Sequence, residues 1–206
     1  MEARKELDKA TDVLRKMTQG TNIAKEQRDR AQCVIVVPNM GSGAFIVGGQ
    51  SGSGAVSCRT DTGWSAPAFV KMSGVTLGLQ AGGQSADLVI LATTSDAPGK
   101  IFSKNFQFGA GASVAAGPVG AGTKAATSAN ADFLTYAETR GLFAGVDLSG
   151  VSLKEDEKPM NALYGANANP VLVLAGRVPV PPEASGFVAQ LGSSFPKPGA
   201  PAVSER

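Results

Sequence analysis

The pattern of apolar and polar residues divides the chain into a helical beginning and a strand-rich remainder. Over residues 2–18 apolar residues recur at helical spacing, while basic residues lie mostly elsewhere, which predicts an amphipathic helix. The apolar positions are Leu7, Ala10, Val13, Leu14 and Met17. Gly20 marks the expected end of this helix, and a second short helix is predicted over residues 22–32.

After residue 32, short runs of strand-forming residues alternate with glycine, proline and serine, which favours strands joined by turns. The runs lie at residues 33–37, 44–47, 55–59, 66–72, 75–81, 87–92, 133–139, 142–148 and 171–178. The first run is expected to end at Pro38, and residues 48–54 are expected to form a glycine-rich hairpin connection. Short helices are expected near residues 161–164 and 183–191.

The sequence therefore predicts an α+β fold. A curled or barrel-like antiparallel β-sheet is expected to be braced by the N-terminal amphipathic helices, with short helices near the C-terminus. A length of 206 residues suits one domain, expected over residues 1–192, with a helical part at 1–32 and a β-rich core at 33–178. The proline-rich segment 193–206 is expected to be a disordered tail.

The composition excludes several classes of function. The chain contains no histidine, which removes Ser-His-Asp and Cys-His catalytic sites and every metal site that needs an imidazole. Its two cysteines are too few for a Cys₄ zinc site. The formal net charge is only +2, so the chain lacks the concentrated positive charge of a nucleic-acid-binding protein. No cofactor and no metal are expected.

The N-terminal sequence and the two cysteines provide evidence about the cellular compartment of the protein. No apolar run approaches the length of a membrane-spanning helix, and the N-terminus starts directly in a charged helical pattern. A cytosolic protein, or an exported one whose signal has been removed, fits this pattern. Cys33 and Cys58 lie at the ends of two predicted strands. Two buried thiols are the favoured interpretation, and a disulfide is the alternative.

Three features that suggest a nucleotide site, a hydrolase site or a membrane contact have simpler structural explanations. The run from Gly117 to Lys124 resembles a phosphate-binding loop, but its Thr and Lys are in reversed order, which argues against a nucleotide hydrolase. Asp87 opens a strongly apolar strand, where a hydrogen bond to nearby backbone amides is more common than a hydrolase site. Trp64 is expected in the core or under a turn, with a membrane-interface role as the alternative.

Binding to an anionic surface is the function class that the remaining residues favour. A compact sheet that carries a basic amphipathic helix, with isolated lysines and arginines near glycine-rich loops, suits a membrane with exposed phosphates. Each basic side chain near such a surface contributes about 1 kcal/mol, so about four to six converging residues would give a salt-sensitive affinity.

An ordered set of short motifs extends across roughly residues 5–175. The motifs are the strand entry 31–38, Gly48-Gly-x-x-Gly-x-Gly54, Trp64-Ser-x-Pro67-Ala-Phe69, Gly78-x-Gln80-x-Gly82, Asp87-Leu-Val-Ile-Leu91, Phe106-x-Phe-Gly109, Ala112-Ser-Val-Ala-Ala-Gly-Pro-Val-Gly120, Gly141-Leu-Phe-Ala-Gly-Val-Asp-Leu-Ser-Gly150 and Asn161-x-x-Tyr164-Gly165. Together they resemble the SYLF domain family, whose lipid-binding domain occurs in bacterial exported proteins and in eukaryotic actin and membrane regulators. The sequence of residues 115–120 resembles that of the stand-alone bacterial branch of the family.

The resemblance implies an activity and a location. It implies non-catalytic binding of anionic phospholipids, with phosphatidic acid or a phosphoinositide-like lipid as the ligand, and it offers no catalytic residues to transfer. Export implies the periplasm or an anchor at the outer membrane, with the signal or lipoprotein segment removed. The actin-bundling role of eukaryotic members is not carried over. The alternative is a structural module of the envelope that docks a protein partner.

The basic residues beside strand ends and glycine loops are the candidate lipid-binding residues. The expected phosphate contacts are Lys71, Lys100, Lys104, Lys124 and Arg140, with Arg15 and Lys16 of the first helix as additional contributors. The expected partners are anionic phospholipids and no nucleic acid, and the protein is expected to be a monomer. This hypothesis requires the basic residues to converge on one patch of the folded surface.

Overall fold

The computed structural model describes eight stretches of the chain. They are residues 2–19, 22–41, 50–74, 85–104, 106–110, 112–117, 130–139 and 142–197. The helices are α1 (Glu2–Thr18), α2 (Lys25–Arg30), α3 (Ala97–Ile101), α4 (Glu157–Tyr164), α5 (Pro170–Leu174) and α6 (Ser185–Ser194). The strands are β1 (Cys33–Met40), β2 (Gln50–Thr60), β3 (Gly63–Trp64), β4 (Ala68–Gly74), β5 (Ala86–Ala92), β6 (Val114–Ala116), β7 (Phe133–Thr139), β8 (Leu142–Gly145) and β9 (Ser152–Glu155).

The first helix has the predicted bounds and buries the predicted stripe. Leu7, Ala10, Leu14 and Met17 are at most 1% exposed, because α1 lies against the sheet and α6. It ends at Thr18, whose hydroxyl donates to the Leu14 carbonyl. The second helix is shorter than predicted. None of the described helices is long and apolar enough to cross a membrane.

The sheet is a curled half-barrel, which confirms the predicted α+β class. Its main path runs β6-β7-β5-β1-β2-β4-β9, while β3 pairs with β2 and β8 with β7. All the strand pairs are antiparallel except β6 with β7, which is parallel. The connection between these two strands, residues 117–132, is long enough for the crossover that a parallel pair requires.

Three phenylalanines link the β9 end of this path to β7, the second strand from the other end. The segment that contains Phe106 and Phe108 makes backbone hydrogen bonds to Val151 and Leu153 beside or within β9. The rings of Phe106 and Phe108 also pack edge-on against Phe133 of β7, with centroids 5.6 and 5.2 Å apart. The sheet therefore curls because its last strand and β7 share one aromatic core.

Two strands extend further than the sequence predicts. β1 continues past Pro38 to Met40, because its pairing with β5 shifts register between Val37 and Met40. Asn39 there adopts a left-handed backbone, with φ of 51°. A bulge tolerates a proline because no ladder hydrogen bond is needed from it. β2 begins at Gln50, so the second half of the predicted glycine-rich connection is strand.

The last predicted strand, residues 171–178, is wrong. Residues 170–174 form α5, in which Pro170 occupies the first turn and the Asn169 side chain accepts hydrogen bonds from the backbone N–H groups of Val171 and Leu172. Gly176 follows with φ of 72°. These start and stop signals outweigh the strand propensity of the valines.

The end of the fold also lies later than the sequence suggests. α6 continues to Ser194, and Phe195 is fully buried with its ring against Trp64. Ser194 and Phe195 are therefore packed rather than part of a tail, while residues 198–206 lie outside the described stretches. The predicted strands at 44–47 and 75–81 fall outside them as well.

The two cysteines form a disulfide, so the favoured interpretation as thiols is wrong. Cys33 of β1 and Cys58 of β2 face each other directly in the strand register, and their Cα atoms are 3.9 Å apart. Both residues are buried, at 1% and 3% exposure. The sequence leaves this pairing open because it depends on the register of two strands.

Candidate functional site

Three of the predicted lipid-binding residues are already paired with carboxylates. Lys100 contacts Asp96 and Asp132, each at 3.0 Å. The hydrogen bonds to Asp132 and Asp96 raise the pKa of Lys100. Arg15 pairs with Asp12 at 3.1 Å, and Lys16 pairs with the buried Glu138. Each of these three cations therefore already has a neighbouring acid. Lys124 and Arg140 lie outside the described stretches.

Lys71 has a different environment. It lies on β4 directly opposite Lys154 of β9, and both side chains are exposed. Lys71 lies between two buried residues, and Lys154 lies between the buried Leu153 and the half-buried Glu155. Opposed residues of an antiparallel pair project from the same face of the sheet, with Cβ atoms about 4.5–5.5 Å apart. Two like charges in this position destabilise a sheet unless an anion lies between them. The lysine pair, Lys71 and Lys154, is therefore a candidate anion site.

A cleft of about 530 Å³ extends from Lys71 toward α1 and α4. We call it the α1 cleft, and its charged lining residues are Glu2, Lys5, Glu6, Lys9, Lys71, Asp156 and Lys158. Lys158 pairs with Glu2 at 2.9 Å. The amines of Lys5, Lys9 and Lys71 make no ion pair with any described residue. This cleft therefore offers three unpaired amines.

A second cleft, of about 860 Å³, is lined by Lys154, the other member of the lysine pair. We call it the α5 cleft, because Pro170 and Val171 of α5 form part of its wall. Its charged lining residues are Lys104, Lys154, Glu155 and Glu157. Lys154 thus connects Lys71 to Lys104, two predicted residues that are far apart in the sequence.

Five lysines line the two clefts and form what we call the lysine surface: Lys5, Lys9, Lys71, Lys104 and Lys154. All five side chains are exposed, and none forms an ion pair within the described part of the chain. Sequence reasoning found two of them and missed Lys5, Lys9 and Lys154. The alternation around Lys154 marks it as an outward position of a strand, but the strand that it faces is visible only in the fold.

Glu6 sets the charge of the α1 cleft near neutral pH. Burial raises the pKa of its carboxyl to about 7, and the charges of Asp156 and Glu2 act in the same direction. Its Oε1 atom is buried and has no hydrogen-bond partner among the described residues. As Glu6 takes up a proton, the cleft becomes more positive by one charge.

Replacing Glu6 with glutamine should make stability less dependent on pH. Because the folded-state pKa lies above the ~4.3 of an unfolded glutamate, stability falls as the pH rises from about 4.5 to above 7. We expect the unfolding free energy of Glu6→Gln to exceed that of the natural protein by about 1–2 kcal/mol at pH 8, after allowance for solvent screening, and to match it at pH ~4. Urea unfolding at both pH values measures this. The exposed Glu26→Gln is the control, and an equal difference at both pH values would contradict the expectation.

The remaining candidates of the sequence have structural roles. Asp87 accepts a hydrogen bond from the Asn39 backbone N–H at 3.0 Å, as expected from its position at the start of a strand. Trp64 is 8% exposed, and its Nε1 donates to the Phe195 carbonyl. The Arg59 guanidinium lies 4.8 Å from the Trp64 ring centroid. Within the described stretches no group of three or more potential metal ligands is found.

A half-barrel sheet braced by helices carries five exposed lysines along the α1 and α5 clefts, none of them in an ion pair with another described residue. The sequence of the chain matches the family described as Ysc84, Las17-binding protein actin regulator, over residues 73–194. This is more than half of the chain. The protein therefore belongs to the Ysc84 family, also called SYLF, which confirms the resemblance carried by the motifs.

Several eukaryotic proteins are similar to this chain. LAS seventeen-binding protein 3 of Saccharomyces cerevisiae is 34% identical over 160 residues, which are 74% of this chain and 34% of that protein. Protein YSC84 of the same organism is 33% identical over 171 residues, covering 80% and 36%. SH3 domain-containing YSC84-like protein 1 of Homo sapiens is 31% identical over 200 residues, covering 91% and 58%. The chain thus spans about a third to three-fifths of these relatives.

Proposed function

We propose that the protein binds the head groups of anionic phospholipids at a membrane surface and catalyses no reaction. The observation that carries this proposal is the lysine pair, in which Lys71 and Lys154 are opposed, exposed and without a carboxylate partner among the described residues. A phosphate between the two amines would relieve their repulsion and accept hydrogen bonds from both. Lys5, Lys9 and Lys104 extend the same positive surface.

The strength of this interaction is limited by the acids in both clefts. Each of the five lysines contributes about 1 kcal/mol near an acidic bilayer, but Glu6, Asp156, Glu155 and Glu157 oppose part of that gain. Binding should therefore be moderate and should weaken as salt rises from ~0.05 to ~0.5 M. On vesicles of an acidic phosphodiester lipid, whose own charge is constant near neutral pH, binding should strengthen as the pH falls through 7 and Glu6 becomes neutral.

Phosphatidic acid is the proposed ligand, and the bacterial periplasm or the outer membrane is the proposed location. A phosphomonoester carries more negative charge than a phosphodiester, which suits two adjacent amines. The Cys33–Cys58 disulfide supports an oxidising compartment, because disulfides persist there and are rare in the cytosol. Mass spectrometry of the protein isolated from cell fractions, with free thiols blocked at lysis, would test the location. If the blocking group were found on Cys33 and Cys58, both would have been free thiols in the cell, which would contradict the proposed location.

Reversing the charges of the lysine pair tests the function. We expect Lys71→Glu with Lys154→Glu to weaken sedimentation with vesicles of phosphatidylcholine and phosphatidic acid by at least ~30-fold, since two contacts of about 1 kcal/mol are lost and repulsion is added. The matched control is Lys25→Glu with Lys197→Glu, which changes the net charge equally outside both clefts. An equal loss in both variants would mean that only net charge matters. Equal binding of the natural protein to neutral and acidic vesicles would refute the proposal.

Docking of a protein partner is the second candidate. The matched family is described as Las17-binding, and one relative is named a LAS seventeen-binding protein. The protein could therefore bind a partner in the envelope. Failure to bind acidic vesicles, together with retention of one protein that Lys71→Glu with Lys154→Glu no longer retains, would favour this function.

A further inference from the structure

Two of the four exposed large apolar side chains in the described stretches are neighbours on α5. Within the described stretches the exposed large apolar residues are Leu142, Val171, Leu172 and Val180. Val171 and Leu172 are adjacent, at 36% and 51% exposure, and Val180 follows soon after the helix at 38%. Single exposed apolar residues are ordinary, but a group on one short element indicates a contact surface.

The fold holds these side chains in place. Val173 and Leu174, the next two residues of α5, are 1% exposed and anchor the helix against β2 and β4. The Asn169 side chain caps its beginning, and the Arg177 backbone N–H donates to the Leu172 carbonyl at 3.1 Å. Leu172 therefore projects from an anchored helix. Because the helix is already ordered, little conformational entropy is lost when this side chain is covered.

The same helix adjoins the lysine surface. Val171 lines the α5 cleft together with Lys104 and Lys154. Glu155 and Glu157 line it too, and burial followed by the charge of Glu157 raises the pKa of Glu155. The positive and negative charges of this cleft are nearly balanced. Contacts between its lysines and lipid phosphates would therefore hold the protein only weakly at a membrane. Apolar contact from α5 would add affinity that salt does not screen.

We propose that α5 is the membrane-inserting element of the protein. Leu172 and Val171 enter the boundary between head groups and acyl chains of an anionic bilayer, while Lys104 and Lys154 contact the phosphates beside them. Apolar side chains flanked by amines match that boundary, which is apolar below and anionic above. This inference rests on the proposed function and identifies which side of the molecule faces the membrane.

A fluorescent probe at position 172 tests the insertion. Because Cys33 and Cys58 are bonded to each other, Leu172→Cys supplies one reactive thiol for an environment-sensitive dye. We expect its emission to shift to the blue on vesicles of phosphatidylcholine and phosphatidic acid and to be quenched by spin-labelled acyl chains. Glu183→Cys, which is exposed beyond α5, is the control and should show neither change.

The outcomes separate this inference from the function on which it rests. If the labelled protein sediments with acidic vesicles but the probe at 172 stays in water, the insertion is refuted and the lipid binding stands. If the natural protein does not sediment with them, the proposed function fails first. Leu172→Ser should weaken vesicle binding ~10-fold, whereas Leu172→Phe should preserve it. A blue shift produced by a protein partner and not by vesicles would show that α5 docks a protein instead.

Discussion

Replacing Gly54 with alanine should destabilise the protein by about 3 kcal/mol or more. A Cβ atom at this position would lie 2.1 Å from the Val36 carbonyl oxygen and 2.9 Å from the Val37 Cα, and both are backbone atoms. Because β1 lies in the middle of the sheet, it has no room to move away. Urea unfolding followed by circular dichroism measures the loss.

Gly99→Ala is the matched control for Gly54. Gly99 lies within α3, and nothing lies within 4 Å of its added Cβ. Alanine favours a helix over glycine by about 1 kcal/mol, so this variant should be neutral or slightly more stable. If Gly54→Ala behaved like Gly99→Ala, the close approach of β2 to β1 would be wrong, and the glycine-rich connection predicted from the sequence would be the better description.

Removing the disulfide should have an effect of similar size. Cys33 and Cys58 are 25 residues apart, and a cross-link that closes such a loop stabilises a fold by about 3 kcal/mol. We expect a reductant to lower the unfolding free energy of the natural protein by that amount. Cys33→Ala with Cys58→Ala should start from the lower value and be insensitive to the reductant. If the reductant left the unfolding free energy of the natural protein unchanged, this result would contradict the presence of the disulfide.

Elements whose signals are local could be predicted from the sequence. α1, β5 and β7 agree with the predicted ranges to within one residue, because each has a clear periodicity or an unbroken apolar run. α5 was mistaken for a strand because its valines favour strands, although Asn169 and Pro170 carry the signal of a helix start.

The candidate site could be predicted only in part, because its geometry depends on distant segments. Lys71 and Lys104 were identified, but the residue that joins them, Lys154, becomes visible only through the pairing of β4 with β9. The ion pairs of Arg15 and Lys100 had a local signal, since Asp12 and Asp96 precede them at helical spacing. Because a nearby acid already pairs with each of them, this spacing argues against Arg15 and Lys100 as phosphate contacts.

The glycine motifs that carry the family resemblance have a packing explanation. A Cβ on Gly117 would lie 2.1 Å from the ring of the buried Tyr136. A Cβ on Gly145 would lie 2.4 Å from the Gly117 carbonyl oxygen. Glycine at these two positions therefore allows β6, β7 and β8 to lie close together. This packing requires glycine even if neither residue contacts lipid.

Chemical labelling of lysine amines on vesicles tests the central claim most directly. The protein is reacted with an amine-specific reagent alone, with phosphatidylcholine vesicles, and with vesicles that also contain phosphatidic acid, and the modified sites are read by mass spectrometry. Acidic vesicles are expected to protect Lys71, Lys104 and Lys154, while Lys25 and Lys197 stay reactive. Unchanged labelling of Lys71 and Lys154 on protein that has sedimented with the vesicles would contradict the account.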